Sequence, residues 1–335
     1  MRNKIAWIIC LCLLAGGALI CAIRWEAWFG NPAEPKWTDE EITHQFITFD
    51  NDSVLDALQH DTLSFLLLGD IHNSLTNREM LMIGERHPDV QFWVQMGDWM
   101  ERPYHYYEQM MYQSLQGSRL DSLPIVALPG NHEYLKGVVK TLPAYWKNIF
   151  PNPENGPTRF LGTTYFVDFP HLRLLAIDTD GLHRISDYTQ VAFWLKKNLR
   201  EASSKFTVVV MHHPVYSTAE GRTNVLMWLA FRDAMREADV VFSGHDHNYA
   251  RRTEQYKARF WKKEEPTIFI TTNASTKVYP TKKKTNYECS LSGEPVYEHI
   301  IITPDTLYIQ TYNLTSGDVI DAVHVVRHTA KQYSK

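Results

Sequence analysis

The sequence predicts an α/β fold that closes on antiparallel β structure, and three observations carry that reading. Continuous apolar runs such as Leu63–Leu68 and Phe206–Met211 have the pattern of strands buried on both faces. Segments of helical spacing alternate with these runs, as in 190–202, where Val191, Trp194, Leu195 and Leu199 share one helical face. From Tyr297 the style changes to alternating segments separated by turns at Pro304-Asp305 and Ser316-Gly317-Asp318, the mark of an antiparallel ending.

Taken in order, the chain begins with Arg2 and Lys4 ahead of Ile5–Ile23, a run of nineteen uncharged residues. Such a run is long enough to span a bilayer and longer than the usual apolar core of a signal peptide. The expectation is an uncleaved membrane anchor over 1–23, with Arg2 and Lys4 inside and the catalytic domain outside the cytoplasm. The alternative is a cleaved signal and a secreted or periplasmic protein. Residues 24–60, with Pro32, Pro35 and a short helix at 54–59, read as a linker and leading segment; a short strand is expected at 45–49. The main domain is expected over 61–330. Its strands are read at 63–69, 90–96, 125–128, 206–211, 239–243 and 266–273, with a hairpin over 163–169 and 172–177. Its helices are read at 79–86, stopped by Pro88, and at 104–116, 190–202 and 225–237. The antiparallel ending runs through 297–303, 307–312 and 319–327. No internal repeat is visible.

The 335 residues are 44% hydrophobic and 21% charged, enough for one large core. A net charge of −4 argues against a general nucleic-acid binder, and no nucleic-acid partner is expected. Three of the four cysteines, Cys10, Cys12 and Cys21, precede the domain, and Cys289 stands alone in it. The domain therefore has neither an internal disulfide nor a thiolate metal site. Lys282-Lys283-Lys284 reads as a solvated loop, and His87, His105 and His171 as surface residues.

The chemistry lies at the strand ends. Five apolar runs finish in polar residues of metal-ligand type: Asp70 and His72; Asp98; Asn131 and His132; His212 and His213; His245 and His247. Any one of these is also an ordinary turn residue. Five in succession point to one site, because ligands of open α/β sheets gather at the carboxyl ends of strands. Two carboxylates, four imidazoles and one amide oxygen, without a thiolate, suit Zn, Fe, Mn, Co or Ni rather than an all-oxygen Ca or Mg cage. If Asp98 bridges, the seven ligands divide into two sets of four around a pair of ions roughly 3.5–4 Å apart. Such a centre suits a phosphoryl group.

The set Asp70-x-His72, Gly97-Asp98, Gly130-Asn131-His132-Glu133, His212 and Gly244-His245-x-His247 resembles the calcineurin-like metallophosphoesterases, in that family's order. The resemblance implies a four-layer fold, two mixed β-sheets packed face to face with flanking helices. It implies one ion on Asp70, His72, Asp98 and His247 and another on Asp98, Asn131, His212 and His245. It also implies a bridging hydroxide that attacks phosphorus, with His132 as general acid. Glu133 and Asp246 match positions outside the ligand set. Gln190, Trp194-Leu195, the stretch 211–217 and Gly244–Arg251 are similar to the purple acid phosphatase branch, which suggests substrate contacts at His213 and Arg251. The chain departs from that branch at Glu101, where the branch has a metal-binding Tyr, at His72, which the branch lacks, and in having no counterpart of its extra N-terminal sandwich domain. An Fe(III)–tyrosinate centre is therefore not expected, and the two divalent ions are expected to be Mn, Fe or Zn. The expected activity is hydrolysis of a phosphomonoester, on a small molecule or a headgroup. The alternatives are a phosphodiesterase acting on a nucleotide, lipid headgroup or wall polymer, and a non-catalytic membrane-tethered scaffold.

Overall fold

The computed structural model describes residues 44–72, 74–102, 107–136, 140–255, 266–283 and 286–327. In chain order the elements are α1 (Asp52–Asp56), β1 (Leu63–Leu68), α2 (Asn77–Arg86), β2 (Phe92–Gln95), α3 (Tyr107–Leu115), β3 (Ile125–Ala127) and α4 (Tyr145–Ile149). Next come β4 (Tyr165–Asp168), β5 (Leu172–Ile177), α5 (Ile185–Glu201), β6 (Phe206–Met211), α6 (Val225–Met235), β7 (Val240–Ser243), β8 (Tyr249–Glu254) and β9 (Thr267–Thr271). The chain ends in β10 (Cys289–Leu291), β11 (Val296–Ile302), β12 (Thr306–Asn313) and β13 (Val319–Val326).

The strands form two mixed sheets, one ordered β13-β12-β11-β1-β2-β3 and the other β10-β8-β9-β7-β6-β5-β4. β1, β2 and β3 run parallel, as do β5, β6, β7 and β9, so two sets of carboxyl ends are available to one site. The period of two along each strand explains the continuous apolar runs. Phe65 and Leu67 face the layer between the sheets, where they meet residues such as Val208, Val210 and Phe242. Leu66 and Leu68 face outward onto Met80 and Ile83 of α2. On the other sheet, Val209 and Met211 lie in the core formed with Val191 and Leu195 of α5 and Phe231 of α6. Both faces of both parallel sets are thus buried, and the four layers expected from the resemblance are present.

Several local expectations need correction. Residues 45–49 form no strand; that segment makes single backbone bonds, Phe46 N–H to the Ile149 carbonyl and Ile125 N–H to the Ile47 carbonyl. α5 starts at Ile185 rather than at 190, because the Asp187 carboxylate accepts the N–H groups of His183 and Arg184 and caps the extra turn. β8, β10 and α4 were not foreseen. β8 is mostly polar, since after its first residues it is only half-buried. His87 is buried, not superficial, and its Nε2 lies 3.0 Å from the Tyr297 hydroxyl. His171 is partly exposed, and His105 lies outside the described residues. So do the expected anchor and most of the linker. Among the described residues no helix is long and apolar enough to cross a membrane.

Candidate metal centre

The site grows from the loops at the parallel strand ends. Four non-glycine residues among those described take positive φ, and all four are expected ligands: His72 (48°), Asp98 (53°), His245 (67°) and His247 (49°). That conformation costs about 1–3 kcal/mol per residue and persists where surrounding structure imposes it. The imposition is visible. The Glu133 carboxylate accepts the N–H groups of Asp98, Trp99 and Gly130 at 2.7, 2.9 and 2.7 Å, which folds the β2 and β3 loops together. The Asp246 carboxylate accepts the Ser217 hydroxyl and the Ala219 N–H and fixes that loop in turn. Gly130 is required because a Cβ there would meet Asp98 Oδ1 at 2.3 Å. At Gly244 a Cβ would meet Asp70 Oδ2 at 2.4 Å.

Two clusters share one carboxylate. Asp70, His72, Asp98 and His247 bring one ligand atom each into a group within 4.8 Å, and Asp98, His212 and His245 form a second such group. In the first, His72 Nε2 is 3.2 Å from His247 Nε2, 3.8 Å from Asp70 Oδ1 and 3.5 Å from Asp98 Oδ2. In the second, His212 Nε2 lies 3.2 Å from Asp98 Oδ2, 3.2 Å from His245 Nδ1 and 3.3 Å from Asn131 Oδ1. All seven expected ligands are therefore brought together.

The outer ring nitrogens fix which atom faces inward. His212 Nδ1–H donates to the Met96 carbonyl at 3.0 Å and His247 Nδ1–H to the Lys277 carbonyl at 3.1 Å. His72 Nδ1 is 2.6 Å from the Glu101 carboxylate. His132 is held by the same residue: its Nδ1–H donates to the Glu101 carbonyl at 2.7 Å, and its Nε2 points inward, 3.9 Å from Asp98 Oδ2. Glu101 thus supports both a candidate ligand and the candidate acid.

Electrostatics suits a cation. Burial pushes His72 down to about 4 and His247 to about 3, and lowers His245 as well, so these rings keep free lone pairs. Burial raises Asp70 to about 7. At Asp98 burial opposes the charge, but His212, His132 and His72 outweigh it and hold the carboxyl well below the usual range. Burial would likewise lower His212; the Asp98 charge more than offsets it and holds the ring well above its usual value. Asp70 Oδ1 and Asp98 Oδ2 are buried without a hydrogen-bond partner, and both face imidazole Nε2 atoms. A buried orphan carboxylate oxygen is costly. Cations in the two groups would remove that cost, so the residues present fit divalent metals.

His213 stands beside this centre, its ring 4.0 Å from that of His245 and its Nδ1 3.1 Å from Thr179 Oγ1 and 3.2 Å from Asp180 Oδ2. The structure places Arg251 elsewhere. Its guanidinium bonds Asp321 at 2.6 and 3.1 Å and pairs with Glu288, so it ties β8 to β13 and to the segment before β10. Its donors are spent on carboxylates of the fold, and the expectation of a substrate contact there is corrected accordingly. Sequence reasoning overlooked Asp178 and Asp180. The signal was the same as at the other five ends, since the apolar run Leu174–Ile177 also stops in Asp178-Thr179-Asp180.

Known proteins share stretches of this sequence and its fold. Purple acid phosphatase 4 of Arabidopsis thaliana is 27% identical over 219 residues, which cover 56% of this chain and 62% of that protein. The probable purple acid phosphatase 20 of the same plant is 27% identical over 195 residues, 52% of this chain and 44% of that protein. The chain thus spans less than two thirds of these relatives. Among solved structures, the purple acid phosphatase PPD1 from yellow lupin (Lupinus luteus) superposes with a TM-score of 0.59 at 16% identity, covering 79% of this chain and 54% of that one. GAP50, the anchor in the inner membrane complex of Plasmodium, gives 0.58 at 16% identity, covering 81% and 90%. Both show the shared fold. The family model for calcineurin-like phosphoesterases matches residues 63–249, more than half the chain and all seven clustered residues, and the chain belongs to that family.

Proposed function

We propose that the protein is a metal-dependent phosphatase that hydrolyses a phosphomonoester at a dinuclear centre. The observation that carries the reading is Asp98. Its buried Oδ2 has no hydrogen-bond partner and stands between both histidine groups. In the proposed arrangement one ion rests on Asp70, His72, Asp98 and His247 and the other on Asp98, Asn131, His212 and His245, with Mn, Fe or Zn as the fitting metals. Bound there, the ions would neutralise phosphate oxygens and lower the pKa of water at the site.

The chain's own residues supply the rest. His132, held through Nδ1 by Glu101, offers Nε2 to the leaving oxygen and donates a proton as that oxygen departs. His213 lies where it would touch the organic side of the ester. The likeness to purple acid phosphatases favours monoesters. A diester substrate is the second reading, and chromogenic mono- and diesters assayed side by side with added Mn or Zn separate the two. Faster turnover of the diester would overturn the first. The non-catalytic tether has one supporting observation, the fold shared with GAP50, described as an anchor in Plasmodium. Protein that binds two metals and cleaves neither ester class would favour it. We further propose that Ile5–Ile23 holds the domain at a membrane, outside the cytoplasm. Fractionation with protease protection tests this, and a wholly soluble protein would refute it.

A further inference from the structure

Thr179, Asp180 and His213 form the inner wall of a cleft of about 970 Å³. That volume is at the upper end for sites that hold a small organic molecule. His213 joins the cleft to the metal centre through its contact with His245. Two further walls differ in chemistry. Lys140, Arg159 and Arg184 line one, where Lys140 is bonded to Asp180 at 2.8 Å and Arg159 to Asp187 at 2.8 Å, so two of the three positive charges are already paired within the fold. The other wall is apolar: Leu182, Tyr188, Val225, Leu226 and Met227. Two of the polar side chains are committed as well. Thr179 bonds His213, and Asn224 donates to the Pro214 carbonyl. A sugar or nucleoside would want such groups free.

The apolar wall continues past the cleft. Val225 and Leu226 open α6 and are each 59% exposed, and Leu229, one turn on, is 56% exposed. Ile185, beside Arg184 at the start of α5, is 84% exposed. Six of the twelve large hydrophobic residues exposed among the described residues lie on these two helices, which touch through Tyr188 and Phe231. An apolar apron that runs into a cleft beside a catalytic centre marks a ligand surface rather than scattered exposure.

We propose that the cleft receives an aliphatic chain, so that the substrate is an amphiphilic phosphate ester. Its phosphate sits at the metal centre, and its chain runs past Leu182 and Met227 and out over Val225 and Leu226. The inference rests on the phosphatase reading and adds the substrate class to it. The source is a lipid headgroup or a soluble alkyl phosphate, which share this chemistry.

Calorimetric titration of the full, metal-loaded chain with n-alkylphosphonates from methyl to octyl tests it, because phosphonates bind without being cleaved. Affinity should rise about two- to fourfold per added methylene, with a heat-capacity change that becomes more negative with length. In Leu226→Asp, at a position 59% exposed, that gradient should flatten. No gradient in the wild type overturns the proposal, as does an unchanged gradient in the variant. Hydrolysis of methyl and octyl phosphate at equal efficiency would leave the phosphatase reading standing and sink this one. A steep binding gradient with no monoester cleaved would do the reverse. Phosphate release from phosphatidic acid in phosphatidylcholine vesicles, set against release from octyl phosphate, identifies the source. Faster release from the vesicles points to a headgroup and faster release from octyl phosphate to a soluble amphiphile; both support the shared chemistry.

Discussion

Asp70, His72 and His247, on one side of Asp98, are at most 7% exposed, whereas on the other side His212 is fully buried but Asn131 and His245 are half-buried. The closed side has two carboxylates and two imidazoles, each ring gripped from behind by Glu101 or the Lys277 carbonyl. The open side replaces a carboxylate with a neutral amide, and its His245 turns Nδ1 inward and packs on His213 at the cleft. The number of ligands is equal; their charge and shielding are not. A cation on the closed side keeps more of its Coulomb attraction, since less water screens it. In the proposed reading the open side is where a substrate would reach the centre and where an ion would exchange sooner.

The largest expected effect removes the contrast altogether. Asp98→Ala should abolish activity and strip both sides of metal, because one carboxylate serves both; elemental analysis that still finds one tightly held ion would show that it is not shared. Next, His132→Ala should keep the metal content and lower kcat by about 10²–10⁴, the usual worth of a general acid. Loss of metal together with rate would mean that His132 is a ligand. Smaller, and directed at one side each, are Glu101→Gln and Asn131→Ala. The first should weaken the closed-side ion by about 10–100-fold, as loss of a partner behind a ligating histidine does. The second should weaken the open-side ion instead. Stepwise metal titration reads both, and equal effects on the two ions would erase the asymmetry.

The smallest prediction lies away from either side. Burial raises Glu298 on β11 from 4.5 to about 8. The folded state therefore holds a proton that the unfolded chain has released between those pH values, and stability falls as pH rises through that window. Glu298→Gln should flatten the decline in denaturant unfolding, on the order of 1–3 kcal/mol at pH 8. A variant with the wild-type slope would show that Glu298 is ionised in the fold.

Much of this was legible in the letters because two periodicities and a repeated ending are local. Leu63–Leu68 and Phe206–Met211 announce strands covered on both faces, and each leads directly into its ligands. β8 was not legible, since Tyr249–Glu254 is polar and becomes a strand only because β9 pairs with it. His87 looked superficial in sequence and is buried by Tyr297, a residue far along the chain. Arg251 fitted a family pattern, but its partner Asp321 comes from β13, a pairing no local pattern contains.

The sequence by itself determined the chemistry of the centre: which donors are present, that none is a thiolate, and that each follows a strand end. Residue identity and short-range spacing suffice for that. The tertiary structure decided the geometry: that Asp98 is shared, that one side is closed and the other open, that Glu101 serves both His72 and His132, and that a cleft with one apolar wall adjoins the open side. Those depend on two sheets packed face to face with their parallel carboxyl ends at one rim and on burial, and both arise from contacts between residues far apart in the chain.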